Sequence, residues 1–237
     1  MQQIKQEIIG CVRQAISKID SDPFEALNGV FLSHFEKPAT NITELKRNTT
    51  KQKGTVWEVF CKMWLEARGY HDVWLLTECP QEIIKYLNLH TFDVGIDLIA
   101  RIKIPNTAGD NFDDFFWVAV QAKYRSPTRD KMGRAVHKVG WRDLSTFIAL
   151  TGRSGPPKGW LHKLVMTNAD SVCWRGTKTS DSGFKTYAKG TFKKGTREEW
   201  LKFIGGEGHK LEPIAAPPQV DVKAARAAWL DKISQKS

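Results

Sequence analysis

Apolar residues recur at three- and four-residue intervals in some stretches of the chain and run together or alternate in others, which separates helices from strands. Ile4, Ile8, Val12, Ala15, Ile16 and Ile19 keep helical spacing over residues 3–20, and Asp20-Ser21-Asp22-Pro23 ends that helix. A second short helix is expected over residues 23–35. Residues 36–54, polar, with Pro38 and a basic run between Lys46 and Lys53, read as a connector. The clearest helix is expected over residues 55–68. There Thr55-Val56-Trp57-Glu58 has the capping-box pattern, Val56, Val59, Phe60, Met63, Trp64 and Ala67 form one stripe, and Gly69 stops the helix.

Strands are expected at residues 73–76, 94–104, 115–124 and 160–166, with a short helix at 80–89 and a turn-rich break at 105–114. Val136, Val139, Leu144, Phe147 and Ile148 suggest a helix over residues 132–150, followed by a Gly/Pro loop at 151–159. Beyond Asp170 the pattern weakens, leaving helices near 197–204 and 222–233 joined by a Pro-rich linker at 213–218. Helices alternating with strands predict an α/β chain with one mixed sheet flanked by helices. The expected domains are an N-terminal helical segment with connector (1–53), a core (54–170) and a basic C-terminal extension (171–237).

Composition narrows the classes. The four cysteines (Cys11, Cys61, Cys79, Cys173) form no CxxC pair, which argues for reduced thiols and against a zinc ribbon. The polar N-terminus does not resemble a signal peptide, and no apolar run spans a membrane, so an intracellular, cytoplasmic protein is expected. The six histidines have no ligand spacing, and no phosphate-binding glycine loop is present. The net charge of +10 is uneven: residues 1–150 carry 20 Lys and Arg against 18 Asp and Glu, and residues 151–237 carry 16 against 8. A basic excess concentrated in one part suits a polyanion partner.

Two strands break the apolar habit at single points. Asp97 lies between Ile96 and Leu98, and Gln121 and Lys123 end the run Val118-Ala119-Val120. Alternation places Gln121 and Lys123 on one strand face with Ala122 turned away. A carboxylate able to hold a divalent metal, beside a lysine, is what phosphodiester hydrolysis needs. Glu58 has two readings: the third residue of a capping box, or a carboxylate facing away from the main apolar stripe of its helix.

Trp57-Glu58, Gly69-Tyr70, the run from Asp93 to Ala100 and Val120-Gln121-Ala122-Lys123-Tyr124 together resemble the Mrr-like branch of the PD-(D/E)xK nuclease superfamily, over about residues 54–167. The resemblance implies a restriction-endonuclease-like fold and an Mg²⁺-dependent DNA endonuclease, with Mn²⁺ as a substitute, of a restriction-type or helicase/translocase-associated kind. It implies Asp97 as the principal metal carboxylate and Gln121 as a catalytic residue and metal ligand, at the place where most of the superfamily has Glu or Asp. The Ala122 carbonyl and Glu58 would be further ligands, Asp93 a supporting residue, and Lys123 the group that orients water or stabilises charge. Duplex DNA is the expected partner, without a membrane; a helicase or translocase partner or domain and a homodimer are further expectations. Arg134, Lys138 and Arg142, at i, i+4 and i+8 of the expected helix, would form a phosphate-contacting stripe, with Arg125 and Arg129 ahead of it. The interleaved aromatic and basic residues from Phe184 to Trp200, with Lys193 and Lys194, suggest either a DNA-binding appendage or a small basic hairpin. The alternatives are a non-catalytic DNA-binding module on the same fold and a structure-specific junction or RNA nuclease.

Overall fold

The computed structural model describes residues 1–18, 21–35, 42–90, 92, 95–105, 107, 109–126, 128–173 and 183–205, with side chains excepted at 32–35 and 42–53. The expected helix at 222–233, the linker before it and Asp93 lie outside the described residues.

Helix α1 (Gln2–Ile16) buries Ile8, Val12 and Ala15. Helix α2 (Pro23–Phe35) begins with Pro23, whose fixed φ suits a first helical position, and the Asp22 carboxylate accepts the N–H groups of Phe24 (2.9 Å) and Glu25 (3.2 Å). Helix α3 (Ile42–Ala67) is far longer than expected. Part of the predicted connector is helical, because Lys, Glu, Gln and Arg sustain a helix without an apolar stripe to betray it. Thr55 therefore lies inside the helix rather than at its N-cap. From Val56 to Leu65, α3 is buried on almost every side, as befits a helix enclosed by other elements. Past its end Gly69 takes a positive φ of 80° and the Tyr70 N–H returns to the Leu65 carbonyl at 3.3 Å, closing the helix as its glycine predicts.

Strands β1 (Asp72–Leu75), β2 (Leu98–Lys103) and β3 (Phe115–Lys123) form the antiparallel part of a five-stranded sheet. Two further strands, β7 (His162–Thr167) and β9 (Phe184–Tyr187), extend it in parallel from β3, giving the order β1-β2-β3-β7-β9. Between β1 and β2 lies helix α4 (Gln81–Tyr86). Between β3 and β7 come the hairpin β4 (Thr128–Arg129) and β5 (Ala135–Val136), the short strand β6 (Lys138–Gly140), a 3-10 turn (Trp141–Leu144) and helix α5 (Ser145–Arg153). Strands β7 (His162–Thr167), β8 (Ser171–Cys173) and β9 (Phe184–Tyr187) follow, and then helices α6 (Lys189–Lys193) and α7 (Arg197–Phe203). Strand β8 pairs with β6, apart from the main sheet.

The helix expected over 132–150 is thus overturned: only its last third is helical. Gly133 turns the hairpin with a φ of 76°, and the Gly140 N–H is held by the Asp143 side chain at 2.9 Å, so α5 starts only at Ser145. The Phe184–Trp200 stretch is no appendage either. Strand β9 is hydrogen-bonded into the sheet beside β7, and Phe184, Phe192 and Trp200 are buried.

Alternate sheet residues face two cores. Leu98, Ala100, Val118, Val120, Leu164 and Met166 pack with α1, α2, α3, α6 and α7. Ile99, Trp117, Ala119 and Val165 pack with α4 and α5. The Trp57 indole N–H donates to the Met166 carbonyl at 3.1 Å and pins α3 to β7. This is the expected restriction-endonuclease-like layering, a mixed sheet between helices. Among the described residues no helix is long and apolar enough to cross a membrane.

Gly95, two residues before Asp97, has a φ of 125°, and a Cβ there would lie 2.9 Å from the Phe147 main-chain nitrogen. Gly95→Ala should therefore cost about 2–4 kcal/mol through both strain and overlap, read as a lowered urea midpoint. An unchanged midpoint would show that the approach to α5 can yield.

Candidate active site

Asp97 sits immediately before β2 rather than within it, yet its backbone is fixed as firmly as a strand residue. Its N–H donates to the Val120 carbonyl and its own carbonyl accepts the Leu76 N–H, both at 2.9 Å. On the side chain, Oδ2 accepts the Ala122 N–H at 2.7 Å and a short hydrogen bond from Gln121 Nε2. Both donors come from the end of β3, so the antiparallel register of Leu98 opposite Val120 delivers them to the carboxylate. Among the described residues Oδ1 accepts no hydrogen bond, leaving one oxygen for another partner.

Gln121 is 2% exposed. Its neighbour Ala122 packs on the opposite face with the α3 core, so the expected alternation holds and Lys123 lies on the Gln121 face. The Asp97 carboxyl is pushed up by burial, against the opposing pull of the Ala122 N–H, Lys123 and Gln121.

Glu58 reaches the same place from α3. Sixteen residues beyond Ile42, it lies deep inside the helix, which removes its capping role. Burial first, and then the Asp97 charge, push its carboxyl up to about 7, while Lys123 pulls it down. Two carboxylates and a lysine thus share one electrostatic environment, the arrangement that splits carboxyl pKa values apart. Cys61, fully buried one turn further on, feels both Asp97 and Glu58, and its thiol is pushed well up. A neutral, buried thiol is no nucleophile; it forms an apolar wall.

The available oxygens are Asp97 Oδ1, the Glu58 carboxylate and nearby main-chain carbonyls. Among the described residues no group of three or more His, Cys, Asp or Glu side chains could hold a metal by itself. That donor set excludes a zinc-like cage and fits a hard cation that keeps water and takes phosphate oxygens.

The basic residues proposed to meet DNA do not form one stripe, because the helix that would have aligned them is absent. Arg125 pairs with Asp143 at 2.5 Å. Arg129 donates to the Gly133 carbonyl at 2.9 Å, and Arg134 pairs with Asp130 at 2.8 Å, both within the hairpin. Lys138 on β6 and Arg142 on the 3-10 turn are exposed. Lys193 bridges Glu25 (2.8 Å) and Asp22 (3.6 Å) of the α2 region, so it ties α6 to α2, while Lys194 is exposed. The sequence reading missed Asn168, 4% exposed just past β7, which accepts the Arg125 N–H at 2.7 Å and donates to the Arg125 carbonyl at 2.9 Å. A lone asparagine after a strand carries no signal for such a clamp.

A family model of the Mrr group, described as restriction endonuclease, matches residues 64–182, half of the chain. The chain belongs to this restriction endonuclease family. No curated protein and no solved structure matches it. The Mrr-type match spans Asp97, Gln121, Ala122 and Lys123, and begins six residues after Glu58, so it supports a nuclease domain and leaves Glu58 joined to the site only through the charges of Asp97 and Lys123.

Glu58 gives a pH signature of its own. The folded carboxyl titrates at about 7 and its reference value is 4.5, so between these the folded state holds more protons than the unfolded one. Its contribution to stability is fully present below pH 4.5 and declines as pH rises through 7. Glu58→Gln should remove that decline, raising stability at pH 8 in metal-free buffer by on the order of 2 kcal/mol while matching the parent near pH 4.5. A variant no more stable than the parent at pH 8 would mean that Glu58 is not held in this environment.

Proposed function

We propose that this Mrr-type domain is a metal-dependent DNA endonuclease that hydrolyses phosphodiester bonds, with Asp97, Glu58, Ala122, Gln121 and Lys123 as its site. The observation that carries the reading is the Asp97 carboxylate held by Gln121 and the Ala122 N–H at the end of β3, with the Lys123 charge acting on both Asp97 and Glu58.

In this reading Asp97 Oδ1 and Glu58 would hold Mg²⁺, or Mn²⁺ in its place, with the Ala122 carbonyl as a third oxygen. With the cation bound, the chemistry supplied there is charge neutralisation at the phosphate and a water of lowered pKa. Gln121 and the Ala122 N–H keep Asp97 Oδ2 occupied, so the carboxylate cannot swing and its free oxygen stays aimed at the site. A neutral amide at position 121 in place of an acid costs the site one negative charge, and Glu58 restores it once ionised. Lys123 orients the attacking water or meets the negative charge that grows on the phosphate.

Lys123→Ala and Asp97→Asn should each lower plasmid cleavage in Mg²⁺ by at least about 100-fold, while duplex affinity in Ca²⁺ stays within about threefold. Cleavage surviving both substitutions would refute the site. Duplex binding without cleavage by the unmodified chain, in both Mg²⁺ and Mn²⁺, would instead favour a non-catalytic binding module, the reading to which Gln121 lends weight.

A further inference from the structure

The hairpin β4–β5 is built unusually rigidly for so small an element. Asp130 Oδ1 accepts the main-chain N–H groups of Met132 (2.8 Å) and Arg134 (2.9 Å), and Oδ2 takes the Arg134 guanidinium at 2.8 Å. The Asp130 N–H donates to the Arg134 carbonyl at 2.9 Å, and the Gly133 N–H to the Asp130 carbonyl at 3.0 Å. These bonds fix the tip, and what they hold outward is Met132, 76% exposed. Methionine is ordinarily a core-filling residue. Lys131 next to it and Lys138 on β6 are exposed and form no salt bridge among the described residues, the Lys138 charge acting on Asp130, whereas Arg129 and Arg134 are spent on the hairpin itself.

The base is equally fixed, and it is fixed to the site. Arg125 and His137 bracket the hairpin. Asn168 engages both main-chain groups of Arg125, and His137 Nε2 donates to the same Arg125 carbonyl at 2.8 Å. The hairpin therefore follows a base clamped at Arg125, two residues past Lys123, by Asn168 just past the end of β7. Strand β4 contributes only two extended residues, Thr128 and Arg129, spanning roughly 7 Å at ~3.3 Å per residue, before the turn that carries Lys131 and Met132.

We propose that this hairpin is an arm that enters a groove of duplex DNA beside the scissile phosphate, with Met132 as an apolar wedge against a base step and Lys131 and Lys138 on the flanking phosphates. The proposal rests on the nuclease reading and names the form of its substrate. A single apolar side chain suffices to wedge and kink a duplex, whereas a protein interface needs a far larger apolar patch. The two exposed lysines complement phosphates, whose neutralisation releases counterions. The rigid tip keeps the ordering cost of binding small.

The test uses the full chain carrying Asp97→Asn, in Ca²⁺, with a short duplex labelled at both ends so that energy transfer reports bending. Bending by this parent should be largely lost in Met132→Ala, with affinity about fivefold weaker, and retained in Met132→Leu. Lys131→Ala with Lys138→Ala should flatten the dependence of log affinity on log salt by about two. The tip is solvent-exposed, so neither change threatens the fold. If the parent binds and the variants match it in affinity, salt slope and bending, the arm is wrong and the nuclease reading stands. If the parent binds no duplex at all, the arm and the duplex nuclease reading fall together. Unchanged DNA binding alongside loss of a protein contact on Met132→Ala overturns the arm in favour of a protein-docking tip.

Discussion

A carboxylate at the end of a buried sheet must find hydrogen-bond donors or lose its charge. Asp97 finds two, the Ala122 N–H and the Gln121 amide, both on one oxygen and both from the last residues of β3. This single tie sets much else. It requires Leu98 to stand opposite Val120, which fixes the β2–β3 register. It requires the chain to arrive at Asp97 through Gly95, whose positive φ and close approach to Phe147 admit no side chain. It also leaves Lys123 on the Gln121 face, where its charge reaches both carboxylates.

Glu58 is the member of the group that the fold accommodates at a cost. A half-buried carboxyl near a second one disfavours ionisation, and its pKa of about 7 records that conflict. Functional sites commonly hold groups that the fold alone would not choose. The surrounding helix is correspondingly well secured: α3 is pinned to β7 through Trp57 and closed by Gly69.

The strand pair was legible because its departures from apolar composition are single charged or amide residues in long apolar runs. The helix ending at Gly69 was legible by its glycine, but its start was not. The first thirteen residues of α3 carry only Ile42 and Leu45 as large apolar residues, too few for hydrophobic periodicity to register, and a Thr-x-x-Glu spacing inside a helix mimics a cap. The reverse error occurred at 132–150, where Val136 and Val139 belong to short strands and only Phe147 and its neighbours to a helix; the separation of the two required knowing that Asp130 and Gly133 close a hairpin. Interleaved aromatic and basic residues from Phe184 to Trp200 fit a stacking surface and an amphipathic core element equally well, and only burial distinguishes them. The Asn168 clamp is a long-range pairing with no local trace in sequence.

The central claim is that Asp97 and Glu58, from separate elements, serve one divalent cation. Mn²⁺ binding to the DNA-free protein, counted by electron paramagnetic resonance at pH 8, tests it most directly. One ion per chain should bind, with saturable binding lost in Asp97→Asn, weakened about tenfold or more in Glu58→Gln, and kept or tightened in Lys123→Ala, where a repelling charge is removed. Equal binding by the parent and both carboxylate variants, or no saturable binding by the parent, would contradict a shared cation site.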